Sequence, residues 1–167
     1  MVSGSMIGSL EAWARQLKEE TASRRTACAA LNEHFHGFYS KELLAKTSFV
    51  VVDRIPPPPL MDTLPQVSRL DFSKFSGLTL GDTYYVVRSE AQNLPLHFHE
   101  LVHVLQWKLL TARGFLTRYL NEVIEHGYHD APLEIMAYDL GHQFEVGCLP
   151  FDVESTVRQK LSDIIKS

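Results

Sequence analysis

The chain has 167 residues, 45% of them apolar and 22% charged, with a formal net charge of −4 when histidine is neutral. That length supports one domain with a hydrophobic core, and the composition excludes a disordered or fibrous chain. The acidic balance gives no electrostatic case for a nucleic acid or an anionic membrane surface as partner, and no apolar run is long enough to span a bilayer.

Met1-Val2-Ser3-Gly4-Ser5 reads as a flexible leader that lacks the basic-then-apolar pattern of a signal peptide, so residues 6–167 are taken as the single domain. The first helix is predicted over residues 7–20, where Ile7, Leu10, Trp13, Ala14 and Leu17 recur at helical spacing. A second is predicted over residues 26–38, with Ala27, Ala30, Leu31, Phe35 and Phe38 on one face. His34 and His36 fall within it two residues apart, which is wrong for sharing a metal on a helix. Ser48-Phe49-Val50-Val51-Val52 is β-branched and reads as a buried strand. It stops at Pro56-Pro57-Pro58-Pro59, a polyproline II connector, after which residues 61–75 read as an irregular, mobile loop.

Residues 77–87 predict two short strands broken at Gly81-Asp82. A long amphipathic helix follows from about Pro95 to Thr111, with Gly114 as its breaker. Phe115, Leu116, Tyr119, Leu120 and Val123 mark the next helix, which ends at Gly127. Asp130 is the expected N-cap of a further helix that carries Leu133, Ala137, Leu140 and Phe144 inward and stops at Gly147. Residues 151–165 form the last helix. Cys28 and Cys148 are the two cysteines, with no C-x-x-C spacing. They read as unrelated thiols in a reducing, cytoplasmic setting, with one disulfide between them as the alternative.

The chemistry concentrates in His99-Glu100-Leu101-Val102-His103. Residues four apart on a helix project from one face a turn apart, so His99 and His103 can reach one metal ion. Glu100 is placed to touch a water at that metal without being a ligand. Phe98, Leu101, Val102, Leu105 and Leu109 fall on one stripe, which puts both histidines at the core boundary. Imidazole and carboxylate ligands with an open position suit one Zn²⁺ ion.

A hydrolytic zinc site takes three protein ligands, so a third must be found. The extended pattern with Gly and His just beyond the second histidine fails, because Gln106 and Leu109 stand there. His97 points elsewhere on the wheel. Downstream stand Glu122, Glu125, His126, His129, Glu134, His142 and Cys148. Glu134 is the best candidate because the first turn of a capped helix holds its side chain in place; His129 in the preceding loop is the runner-up. Glu134 serving only the helix dipole is the competing reading.

Gly77-x-Thr79-x-Gly81, then His99-Glu100-Leu101-Val102-His103-Val104-Leu105-Gln106, then Tyr128-x-x-x-Pro132-Leu133-Glu134-x-x-Ala137-Tyr138 resembles the compact bacterial gluzincin-type metallopeptidases called minigluzincins. The likeness spans about residues 77–144 and rests on three separated motifs in order. It implies an α+β, zincin-like single domain: a small, twisted, mostly antiparallel sheet, about six helices, the H-E-x-x-H helix beneath the sheet, and a glutamate helix closing the site. Carried over, His99, His103 and Glu134 would ligate zinc and Glu100 would be the base. No family motif falls in the first 59 residues.

The expected activity is hydrolysis of a peptide bond in a peptide or protein substrate. Glu100 would take the proton of water and pass it to the leaving amine. Tyr128, in the turn leading to Glu134, is the candidate donor to the oxyanion, with Tyr138 and His142 as alternatives on the helix face of Glu134. Tyr84-Tyr85-Val86-Val87 is expected either to pair with an extended substrate as an edge strand or to be ordinary sheet. The competing function is a zincin-like protein that binds zinc and a partner without turnover. A weaker third is an amidohydrolase of non-peptide substrates.

Overall fold

The computed structural model describes residues 1–59, 68 and 70–167. It is an α+β protein. In chain order the described elements are α1 (Gly4–Glu20), β1 (Thr26–Ala27), α2 (Lys41–Lys46), β2 (Ser48–Val52), β3 (Gly77–Leu80), β4 (Thr83–Val87), α3 (Leu94–His126), α4 (Pro132–Glu145) and α5 (Val153–Lys166). Helix α3 packs against α4, α1, α5 and the face of the sheet.

The sheet order is β1-β2-β4-β3. The sheet is mixed rather than mostly antiparallel, because its longest pairing, β2 with β4 from Ser48↔Thr83 to Val52↔Val87, is parallel. The Gly81-Asp82 turn makes β3 and β4 an antiparallel hairpin, with Gly81 at φ 72, where a side chain would be strained. The chain therefore reaches β4 through β3. This puts β4 inside the sheet and leaves β3 at its edge. Tyr84, Tyr85 and Val86 are fully buried, so the expectation of an edge strand at residues 84–87 is corrected.

The first five residues are not outside the fold. Ser3 caps α1 by accepting from the Met6 amide at 3.3 Å, Val2 is buried, and the Val2 nitrogen donates to Asn121 Oδ1 at 3.2 Å. The helix expected over residues 26–38 does not form. Thr26 and Ala27 pair with Phe49 and Ser48, and a short 3-10 turn, Cys28–Leu31, follows. Phe35 and Phe38 then meet Phe98, Phe144 and Phe151 edge-on, and Tyr39 packs at a tilt on Phe98. Turn hydrogen bonds such as Phe35 N to Leu31 O (3.1 Å) and Phe38 N to Phe35 O (3.0 Å) take the place of a continuous helix ladder, and burial of the rings adds the stabilisation. His34 and His36 are exposed.

The predicted break in the long helix comes at Thr111 (φ 65) rather than Gly114, so α3 is two helical halves in one 33-residue span and the described helices number five. A β-branched residue at that φ is strained; the Thr111 hydroxyl accepts from the Gly114 amide at 3.3 Å. Leu109, expected in the core, is 36% exposed just before this break. The residues expected as a mobile loop lie partly outside those described. Within the described part, Phe72–Lys74 form a 3-10 turn capped by Asp71. Cys28 and Cys148 are free thiols, and burial pushes Cys28 up to about 12. Among the described residues no helix is long and apolar enough to cross a membrane.

Candidate metal centre

The first half of α3 begins at a sharp cap, where Asn93 Oδ1 accepts from the Leu96 amide at 3.2 Å and Pro95 occupies the first turn. From there its apolar stripe, Phe98, Leu101, Val102 and Leu105, is buried against the sheet and α4. That fixes the rotation of the helix, and His99 and His103 emerge together toward α4. Their Nε2 atoms lie 3.1 Å apart. Glu134, in the first turn of α4, meets both: Oε2 lies 3.3 Å from His99 Nε2 and Oε1 lies 3.4 Å from His103 Nε2. All three side chains are buried.

His99, His103 and Glu134 are thus a cluster that could hold a metal ion, with ligand atoms all within 4.8 Å of one another. Two tests of fit can be made. Three donors each about 2.0–2.1 Å from one tetrahedral centre stand roughly 3.3–3.4 Å apart, close to the separations found. Glu134 Oε2 is also a buried oxygen without a hydrogen-bond partner, an atom that calls for a cation. Burial works against the Glu134 charge, but the two imidazoles, His103 foremost, outweigh it and hold the carboxyl well below the usual carboxylate range. Burial likewise disfavours charging His103, yet Glu134 pushes it up to about 9. The carboxylate therefore keeps a positive charge beside it, as a proton or as an ion.

Neighbours orient each member. Gln106, one turn beyond His103, places its oxygen 2.7 Å from His103 Nδ1 and donates through its nitrogen to the Leu133 carbonyl at 3.0 Å. That second bond fixes which end of the amide faces the ring. Nδ1 then carries the proton and Nε2 is left for the cluster. Tyr119, from the second half of α3, donates to Glu134 Oε1 at 2.6 Å. Glu122 accepts from the Leu133 amide at 2.9 Å and from Arg118 Nε at 2.7 Å. Glu122 therefore caps α4 in place of Asp130; the N-cap residue itself is Ala131, with no side-chain bond. The kink at Thr111 matters here, because it is the second half of α3 that carries Tyr119 and Glu122 to α4.

Glu100 lies beside the cluster and outside it. Thr79 of β3 donates to Glu100 Oε2 at 2.6 Å. The next alternate position on that face is Gly77, where any Cβ would collide with Glu100 Oε1. Burial raises the Glu100 pKa, against the lowering pull of His99, His103 and the Thr79 hydroxyl.

Tyr128 stands at the same opening, its ring 4.9 Å from Phe75. Burial pushes its hydroxyl far above the ordinary phenol range, and the Glu134 charge adds to this. Tyr138 covers His99 at 4.5 Å between ring centres. Burial raises the Tyr138 hydroxyl as well. Both phenols are therefore protonated donors at neutral pH. The other sequence candidates stand apart. His129 packs on Tyr128, His142 faces Glu145 at 3.7 Å, His126 faces Glu125, and Cys148 is not in the cluster. His97 is buried between the Tyr84 hydroxyl (2.7 Å) and the Ala91 carbonyl (2.9 Å), a structural role.

Thr79, Gln106, Tyr119 and Glu122 do their work without being singled out for it by the sequence. Gln106 leaves a local trace there, three residues beyond His103 and so on its face; Thr79 stands in the sequence reading only within the Gly77-x-Thr79-x-Gly81 motif, and Glu122 only among the candidate third ligands. Comparison with protein-family models, with curated proteins and with solved structures finds no match to this chain.

Proposed function

We propose that this chain is a zinc-dependent peptide-bond hydrolase of the gluzincin type, with a zincin-like arrangement of its sheet and helices. The observation that carries the reading is the convergence of His99, His103 and Glu134 from two helices, with the Glu100 carboxylate held next to them by Thr79. A module that only bound metal would have no use for a second buried carboxyl group kept out of the ligand set. Zinc is the ion of choice for two imidazoles and a carboxylate with room for solvent, and when bound it supplies an acidified water and a polarised carbonyl.

The protein residues do the rest. Glu100, its pKa raised by burial, accepts the proton of the attacking water and returns it to the leaving nitrogen. Tyr128 donates its hydroxyl to the developing oxyanion, with Tyr138 beside it. Strand β3 holds an extended substrate by the edge that no other described strand pairs with. Ser76 bonds to β4 through Val87, so the alternation turns the backbone groups of Gly77 and Thr79 outward next to Glu100. The two free thiols fit a reducing, cytoplasmic setting.

The test is metal analysis of the purified protein, then peptide-library cleavage with and without chelator, repeated on Glu100→Gln. The expected result is one zinc per chain and chelator-sensitive cleavage. Glu100→Gln should retain the zinc and lose about 100- to 10,000-fold in rate. Zinc without cleavage of any peptide would replace this proposal with a zinc-binding interaction protein, and full activity in Glu100→Gln would remove Glu100 as the base.

A further inference from the structure

The second half of α3, residues 112–126, is an arm between two residues whose backbone lies in a region that suits glycine. Gly127 at its end stands at φ 83, ψ 165, and Thr111 at its start stands at φ 65, ψ 164. A β-branched side chain crowds its own backbone there. A glycine is close by, yet Gly114 lies inside the helix and its amide donates to the Thr111 hydroxyl at 3.3 Å. A second unrelaxed group sits at the same break. Trp107 stacks on Phe115 across it, ring centres 4.6 Å apart, and Trp107 Nε1 is a buried donor with no hydrogen-bond partner among the described residues. Strained backbone and unpaired buried donors persist where the surrounding contacts over-determine them.

Those contacts are made at the metal centre. Tyr119 donates to Glu134 Oε1 at 2.6 Å, and Glu122 accepts from the Leu133 amide at 2.9 Å. Phe115 and Tyr119 also meet the His103 ring edge-on, each at 6.3 Å. Toward α1 the arm is held less closely. An open space of about 120 Å³ is lined by Leu116 and Leu120 of the arm and by Leu10 and Trp13 of α1. The Arg113–Glu11 pair between the same two helices is 3.7 Å long with its arginine exposed, a weak tether.

We propose that residues 112–126 form a metal-coupled clamp that pivots at Thr111 and Gly127. A cation at His99, His103 and Glu134 holds the arm in, and the arm, when in, presents Glu134 to the cation. This rests on the metal half of the proposed function and not on hydrolysis. When Thr111 relaxes to negative φ the arm turns away. Tyr119 and Glu122 then leave the first turn of α4, and Glu134 is no longer fixed opposite the imidazoles. A cation needs the three donors together, so it binds the arm-in state better and shifts the population toward it. The coupling is reciprocal: whatever favours the arm-in state tightens the metal.

Hydrogen exchange of the purified full chain, with zinc and then with chelator in its place, reads the arm directly. In chelator the amides of residues 112–126 should be at least about 10-fold less protected than those of the β2–β4 ladder, and zinc should close most of that gap. Two variants should move zinc release to excess chelator in opposite directions. Thr111→Gly frees the pivot of strain, and glycine is tolerated at a cap, so release should slow several-fold and the metal-free arm should gain protection. Tyr119→Phe keeps the ring and removes the latch, so release should quicken and the arm should lose protection. Ordinary loss of packing would quicken release in both. An arm as protected as the ladder in chelator, a gap that zinc binds without closing, or release that fails to slow in Thr111→Gly overturns the clamp and leaves the metal reading standing. A chain that binds no zinc overturns the metal reading and the clamp with it.

Discussion

The two flanks of the His99–His103–Glu134 cluster are built on opposite plans. On the closed flank three buried contacts hold the cluster: Gln106 on His103, Tyr119 on Glu134, Glu122 on the start of α4. On the open flank a cleft of about 960 Å³ reaches solvent, and His99 is covered there by Tyr138, which is 46% exposed. Hydrogen bonds in a dry, low-dielectric setting are stronger and hold their geometry better than the same bonds in water. The difference teaches a division of labour. On the proposed reading, the closed flank fixes where the ligand atoms would sit, and the open flank would admit water and substrate and tolerate change.

The largest way to break this contrast is to remove the ligand that the closed flank presents. Glu134→Gln keeps the shape and still accepts from Tyr119, but loses the charge that faces both imidazoles. Zinc affinity, measured by competition with a chromophoric chelator, should fall by more than the roughly 10- to 100-fold typical of residues that only orient ligands. An unchanged affinity would show that the carboxylate is not a ligand.

A smaller effect is expected at the sheet edge, where the two flanks meet. Gly77→Ala drives its new methyl group into Glu100 Oε1. Elsewhere in a compatible backbone, Gly→Ala adds about 0.4–1 kcal/mol of stability by restricting the unfolded chain. Here no gain in melting temperature should appear. Hydrolysis should fall by about 100-fold or more as the base is displaced, with zinc still bound because Glu100 is not in the ligand set. Unaltered kcat would mean that Glu100 has room to move without cost.

The three residues of the cluster were legible in the sequence, and the contacts of the closed flank and much of the N-terminal third were not. His99 and His103 could be paired because helical spacing is local and the apolar stripe around them is strong. Glu134 followed from its place in the first turn of a helix. Both inferences needed only a few neighbouring residues. Thr79 and Tyr119 reach the site from 21 residues before Glu100 and 15 before Glu134, through a hairpin and a kinked helix, so no helix or strand periodicity gives either its role, although Thr79 stands in the first motif of the family resemblance. Residues 26–38 were misread for a related reason. Their apolar spacing suits a helix, but strand pairing at Thr26-Ala27 and the buried ring cluster at Phe35 and Phe38 decide the backbone, and both depend on distant partners. The parallel pairing of β2 and β4 is likewise set by where β3 lies, which strand composition does not encode.

The finest discrimination between the flanks comes from a matched pair of substitutions, each touching one histidine ligand. Gln106→Leu removes the acceptor from His103 Nδ1 while keeping nearly the same volume in a fully buried position. The ring is then free to change tautomer and tilt, and zinc affinity should drop by about 10- to 100-fold. Tyr138→Phe keeps the ring over His99 and removes only its hydroxyl, on a side chain already half in solvent. Zinc affinity should not change, because that hydroxyl orients no ligand atom. Chelator competition on the two purified variants gives the comparison directly. Equal losses in both would mean that His99 is held from the open side as firmly as His103 is from the closed side, and the division between a fixing flank and an admitting flank would have to be abandoned.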